Sequence, residues 1–284
     1  MNRVKTWVLI AALGGLFVAI GSFWGTNGMV IALVIGLAFN LAMYWFSDKI
    51  AIATTRSKPV TEAEFPDYYA IVRELSRQEG IPMPRLYVSE MMQPNAFATG
   101  RNPQNAAVSV TKGILQILDR RELRGVLAHE LSHVTNRDIL VGSIAAAIGM
   151  SITFLARFAF FFGGRDDEGA NPLAMLAAWI LAPIAALLIQ MAVARSREFQ
   201  ADESGADLSH DPLALARALR KLELASKQVP VPQTVSPAQA HMFIVNPFSG
   251  RTAARSFARL FSTHPATEER VARLERMAGG KLGF

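Results

Sequence analysis

From Trp7 to Phe46 the chain carries no charged residue, and Gly25-Thr26-Asn27-Gly28 divides this stretch into two apolar segments of about 18 residues each. Helices of that length cross a hydrocarbon core about 30 Å thick, and in lipid only helices and closed barrels satisfy their own backbone donors and acceptors. Two later blocks have the same character. Residues 139–162 hold a single charge, Arg157, near their far end, from which a guanidinium can reach the interface. Residues 173–194 hold none, and Pro183 predicts a kink there. The 51% apolar composition and the mean hydropathy of +0.24 are concentrated in these blocks. The pattern predicts an integral membrane protein with about four transmembrane helices, paired as hairpins over 1–47 and 139–194. Other readings stay open from sequence. Met1-Asn2-Arg3-Val4-Lys5 before an apolar run also fits a cleavable signal peptide, and the second hairpin also fits a buried helix pair or the lining of an internal chamber.

Lys and Arg predict the orientation. Arg3 and Lys5 precede the first block, Lys49, Arg56 and Lys58 follow the second, and Arg195 and Arg197 follow the fourth. The loop between the third and fourth blocks instead reads Arg165-Asp166-Asp167-Glu168. Positive residues favour the cytoplasmic side, so the two soluble stretches, 48–138 and 195–284, are expected there. The lack of cysteine agrees, since it removes any disulfide framework and any thiolate nucleophile or ligand. A net charge of +6 calls for no nucleic-acid partner, because the basic residues flanking the apolar blocks lie where anionic lipid attracts them.

Within the first soluble stretch an amphipathic helix is predicted over Pro66 to Gln78, closed by Glu79-Gly80. Three short strand-like runs follow, at 85–88, 96–99 and 106–110, separated by Pro94 and by Gly100-Arg101-Asn102-Pro103. They predict a small antiparallel sheet in a fold that is otherwise mainly α. After the fourth block, Asp211 as N-cap and Pro212 at N1 open a helix running to Lys227. Residues 229–250 read as a Pro-rich loop, and a last helix is predicted from Pro265 to Met277, ending before Gly279-Gly280.

Between the strands and the third apolar block stands His129-Glu130-Leu131-Ser132-His133. Positions four apart on a helix lie about 40° apart around its axis, so both imidazoles can face one ion while Glu130 reaches a water bound to it. That arrangement is a zinc-hydrolase signature. A helix is expected here, with Asp119 as N-cap and Glu122 completing a capping box. Read without the chemistry, the pair is two histidines on an exposed helix.

A tetrahedral zinc site needs a third protein ligand and an open position for water. Glu198, in Ser196-Arg197-Glu198-Phe199-Gln200-Ala201-Asp202, is the candidate, because a hairpin formed by blocks three and four returns the chain beside His133. Asp202, one turn on, can accept the free N–H of a ligating imidazole and fix its tautomer. The plainer alternative pairs Glu198 and Asp202 with Arg195 and Arg197 on a solvated helix. Zinc held by His129, His133 and Glu198 polarises a carbonyl and activates water, with Glu130 as the base. Ala96 to Thr99 reads either as an exposed edge strand able to take an extended polypeptide by main-chain hydrogen bonds, or as an interior strand.

The HELSH motif, Ser196 to Asp202, the NAFATG segment from Asn95 to Gly100, the STHP segment from Ser262 to Pro265 and the order of apolar blocks resemble the HtpX-type membrane zinc metalloproteases, bacterial relatives of the CAAX prenyl endopeptidases. The resemblance spans nearly the whole chain. It implies a gluzincin-like protease domain, one Zn2+ per chain on His129, His133 and Glu198, and Glu130 as catalytic base. It also implies a multi-pass inner-membrane location and a role in stress-responsive quality control, with misfolded membrane proteins as substrates. Asn95 and His264 are its candidates for substrate or oxyanion contacts, while His210 and His241 read as surface residues. Two rival functions remain at this point: a non-hydrolytic, zinc-stabilised membrane adaptor or holdase, and an oxygenase with iron in a two-His-one-carboxylate triad.

Overall fold

The computed structural model describes residues 51–136, 194–229, 243–245 and 265–281, and in addition positions 34, 38, 45, 46, 48, 49, 138 and 181. Apart from those isolated positions the four apolar blocks lie outside the described residues, as do His241, His264 and most of the 229–250 loop. Among the described residues no helix is long and apolar enough to cross a membrane. The chain divides into two compact units, one of residues 1–45 and 140–194, the other of 46–139 and 195–284. The second contains every element named below.

Its sheet holds β1 (Lys58–Pro59), β2 (Arg85–Ser89), β3 (Ala96–Thr99) and β4 (Ala107–Thr111) in the order β1-β2-β4-β3. The expected antiparallel sheet is a mixed one: β2 and β4 run parallel, Arg85 opposite Ala107 through Ser89 opposite Thr111, while β1 pairs with β2 and β3 with β4 antiparallel. Short connections read as a meander. The 90–95 link instead carries the chain past the place β4 will take, so β4 enters between β2 and β3. Burial follows: all five residues of β4 are buried, as a central strand requires. Its polar members are satisfied there. Ser109 Oγ lies 2.7 Å from Ser57 Oγ, and Thr111 Oγ1 accepts from the Asn95 and Ile114 amides at 2.9 and 3.2 Å.

Helix α1 (Pro66–Glu79) buries Tyr68, Ile71, Val72 and Leu75 on one stripe and ends at Gly80. The Tyr68 hydroxyl donates to the Val108 carbonyl at 3.0 Å, fastening this helix to the central strand. After the short α2 (Lys112–Ile117), α3 (Arg120–Thr135) opens with the predicted capping box, in which Asp119 accepts from the Arg121 and Glu122 amides and Glu122 accepts from the Asp119 amide. Helix α3 is central, lying against α1, β3 and α5 (Pro212–Gln228). Leu123, Val126, Leu127 and Leu131 join the core with Leu215, Leu219 and Leu222 from α5. Residues 194–209 form α4, and α6 (Thr267–Lys281) packs on α5 through Leu274 and Val271. Helix α6 runs through Gly279 and Gly280, past the predicted stop. Glycine there costs about 1 kcal/mol per residue, a penalty that a helix with a docked stripe can bear.

Candidate metal centre

Two backbone approaches set the site. A Cβ on Gly205 would lie 2.7 Å from the backbone Cα and N of His129, and one on Gly125 would lie 3.0 Å from the Leu215 backbone N. Only hydrogen fits at Gly205, and a methyl at Gly125 would be tight, so α4 rests almost directly on the backbone of α3 and α5 packs closely against it. On α4, Glu198, Asp202 and Gly205 stand at i, i+4 and i+7, one helical face. Where Gly205 touches His129, that face brings Glu198 to the imidazoles.

His129 is 2% exposed and Glu130 5%, so the motif faces the interior of the fold and is not an exposed pair. The two rings meet edge to face with centroids 4.8 Å apart. His133 Nε2 lies 3.2 Å from His129 Nε2 and 3.6 Å from Glu198 Oε1, and His129 Nε2 lies 3.8 Å from Glu198 Oε2. Ligand atoms about 2.0–2.1 Å from a tetrahedral zinc stand roughly 3.3 Å from one another. The three residues therefore converge at the separations one such ion demands, with all ligand atoms within 4.8 Å.

The outer nitrogens of both rings face carboxylates. His133 Nδ1 lies 2.8 Å from Asp138 Oδ2. Asp202 Oδ1 lies 3.1 Å from His129 Nδ1, close enough for strong attraction but poorly aligned for a hydrogen bond. With a proton on each Nδ1, the two Nε2 lone pairs point at each other across 3.2 Å, a repulsion that a cation between them relieves. Burial disfavours a charged His133, yet Asp138, Glu198 and Glu130 outweigh it and raise the ring to about 9. The surroundings are built to hold positive charge.

Glu130 stands outside the ligand set. Its Oε2 accepts from the Ala98 amide of β3 at 2.9 Å. Burial is the main influence raising its carboxyl, opposed by the neighbouring imidazoles and that amide. Among the described residues β3 is the outermost strand of the sheet, pairing only with β4. Asn95 is buried, and its Oδ1 accepts from the Ile244 amide at 3.0 Å, tying residues 243–245 to the start of β3. His210 is an exposed residue at φ 55 following α4.

Three contributors were not anticipated from sequence. Asp138 is one. The second is Arg270, only 1% exposed, which forks onto Asp202 with 2.8 and 2.7 Å hydrogen bonds, reaches the Ile244 carbonyl at 3.3 Å and stands 3.3 Å from Glu198 Oε2. Burial opposes its charge, but Asp202 and Glu198 hold the guanidinium protonated. A signal existed: Arg270 stands one turn before Leu274 on the buried stripe of α6, where an apolar residue is expected. The third is Gly205, whose sequence setting gives no sign of the close approach.

The model of "Peptidase family M48" matches residues 62–278. The chain belongs to peptidase family M48. This metallopeptidase is 53% identical to the "Protease HtpX homolog" of Syntrophobacter fumaroxidans, over 97% of its own length and 99% of that protein's. It is also 53% identical to the "Protease HtpX homolog" of Paraburkholderia phytofirmans, over 98% and 97%. The crystal structure of S. mikatae Ste24p shares its fold at a TM-score of 0.54 and 19% identity, covering 96% of the metallopeptidase. The metallopeptidase spans 65% of the Ste24p chain, about two thirds of its length.

Proposed function

We propose that this metallopeptidase is a zinc endopeptidase of the bacterial inner membrane that cleaves misfolded or damaged membrane proteins at a site facing the cytoplasm. One observation carries the reading: His129, His133 and Glu198 converge within ligand distance of a common point, while Glu130, one residue from a ligand, stays outside the set on the Ala98 amide. Zinc, when bound, polarises the scissile carbonyl and lowers the pKa of a water toward about 7. His129, His133 and Glu198 hold the ion, and Asp138 and Asp202 orient the two rings. Glu130 takes the proton released at the attacking oxygen and hands it to the leaving amine, a role suited to a carboxyl raised by burial.

An edge strand beside the site supports unfolded substrates, since main-chain pairing on β3 makes few demands on sequence. The apolar blocks and their flanking Lys and Arg support two transmembrane hairpins, 1–47 and 139–194, around protease segments 48–138 and 195–284. Family membership favours hydrolysis over the adaptor and iron-oxygenase readings. Purified full-length Glu130→Gln protein is expected to keep parental zinc content and lose cleavage of an unfolded membrane protein by about 100-fold or more. Unchanged cleavage would remove Glu130 from the mechanism.

A further inference from the structure

Asp138 and Arg197 are distant in sequence and adjacent in space. Asp138 precedes the 139–194 segment by one residue and Arg197 follows it by three. The Arg197 guanidinium donates to the Asp138 backbone carbonyl. On the other side of the same residue, the Asp138 carboxylate holds His133 Nδ1 at 2.8 Å through Oδ2, while its Oδ1 is buried with no hydrogen-bond partner among the described residues. Asp138 is 4% exposed and helical, and lies beyond Asn136, the C-cap of α3. The Arg197 guanidinium is a second anchor on this residue, at its backbone.

We propose that Arg197 is a positioning residue for the metal centre: by clasping the Asp138 carbonyl it aims the carboxylate that orients His133, and so ties the two chain ends of the 139–194 segment together beside the ligands. The inference rests on His129, His133 and Glu198 holding the ion. Arg197 also immediately precedes Glu198, so one residue links the approach of the third ligand to the tautomer of the second. Arg195 and Arg197 each have a buried Nε with no hydrogen-bond partner among the described residues, and Arg195, two positions earlier, serves as the comparison.

The test is zinc affinity of the full-length protein in detergent, by competition with a chromophoric chelator, together with the visible spectrum of the Co2+-substituted protein. Arg197→Ala is expected to weaken zinc binding about tenfold, the scale typical of losing a partner that orients a ligand, and to change the Co2+ bands; Arg195→Ala is expected to leave both unchanged. Arg197→Lys keeps a donor and is expected to recover at least half of the lost affinity on a logarithmic scale, which also guards against misfolding of the alanine variant. The decisive comparison is with Asp138→Ala. If Arg197 acts through that carboxylate, the double variant binds zinc no more weakly than Asp138→Ala alone. Losses that multiply, or an Arg197→Ala protein with parental affinity and spectrum, overturn the inference while leaving the zinc reading intact. A parent protein that binds no zinc overturns both.

Discussion

Gly205→Ala separates the packing of the site from its chemistry, because the substituted residue is neither a ligand nor a proton carrier. Its added methyl would stand 2.7 Å from two backbone atoms of His129 and 3.1 Å from the carbonyl carbon of Ala128. Carbon contacts relax near 3.5–4.0 Å, so α4 must retreat by about 1 Å. Neither helix backbone can yield locally. Glu198 lies two turns away on the same rod, about 10 Å along the axis, and moves with it. A retreat of about 1 Å is roughly five times the ~0.2 Å tolerance of a metal–ligand distance, so the carboxylate proposed as third ligand is lost or strained.

Stability responds differently. Overpacking costs about 1–3 kcal/mol, and replacing glycine by alanine inside a helix returns about 1 kcal/mol, so the metal-free protein loses at most ~2 kcal/mol. The expected result is a small drop in metal-free melting temperature with a fall in zinc affinity of at least about tenfold, or ~1.4 kcal/mol of binding. Gly125→Ala provides the contrast: its methyl would press on Leu215, which belongs to a helix without ligands, so it should lower stability with much less effect on zinc. Thermal unfolding with and without chelator, alongside zinc competition, reads both quantities. A Gly205→Ala protein with parental zinc affinity and activity would refute the argument that this contact places Glu198.

Arg270→Met should destabilise the fold by about 3–5 kcal/mol, because it strands the buried Asp202 carboxylate; adding Asp202→Asn should recover much of that loss, measured by denaturant unfolding of the detergent-solubilised protein. Asp119→Ala removes one half of the capping box and should cost about 1 kcal/mol of stability while leaving zinc affinity near parental, since the cap lies almost three turns from His129; a specific loss of zinc would contradict this.

The local features of this protein were legible in its sequence because each is decided within one or two turns of chain. Asp119 and Glu122 marked the start of α3, Asp211 and Pro212 that of α5, and the four-residue spacing of His129 and His133 defined a shared face before any tertiary contact was known. The strand runs were legible as strands but not as a mixed sheet, since the order of pairing depends on how the 90–95 link passes β4. The path of α6 through Gly279-Gly280 was likewise masked, because glycine preferences describe an isolated helix and not one docked on α5. Covalent neighbours and backbone hydrogen bonds act over a few residues, and sequence patterns record them. The meeting of Glu198 with the imidazoles, the burial of Arg270 against Asp202 and the clasp of Arg197 on Asp138 join distant parts of the chain. Those depend on how closely helices pack, which here turns on the missing side chain of Gly205, and only the assembled tertiary structure decides that.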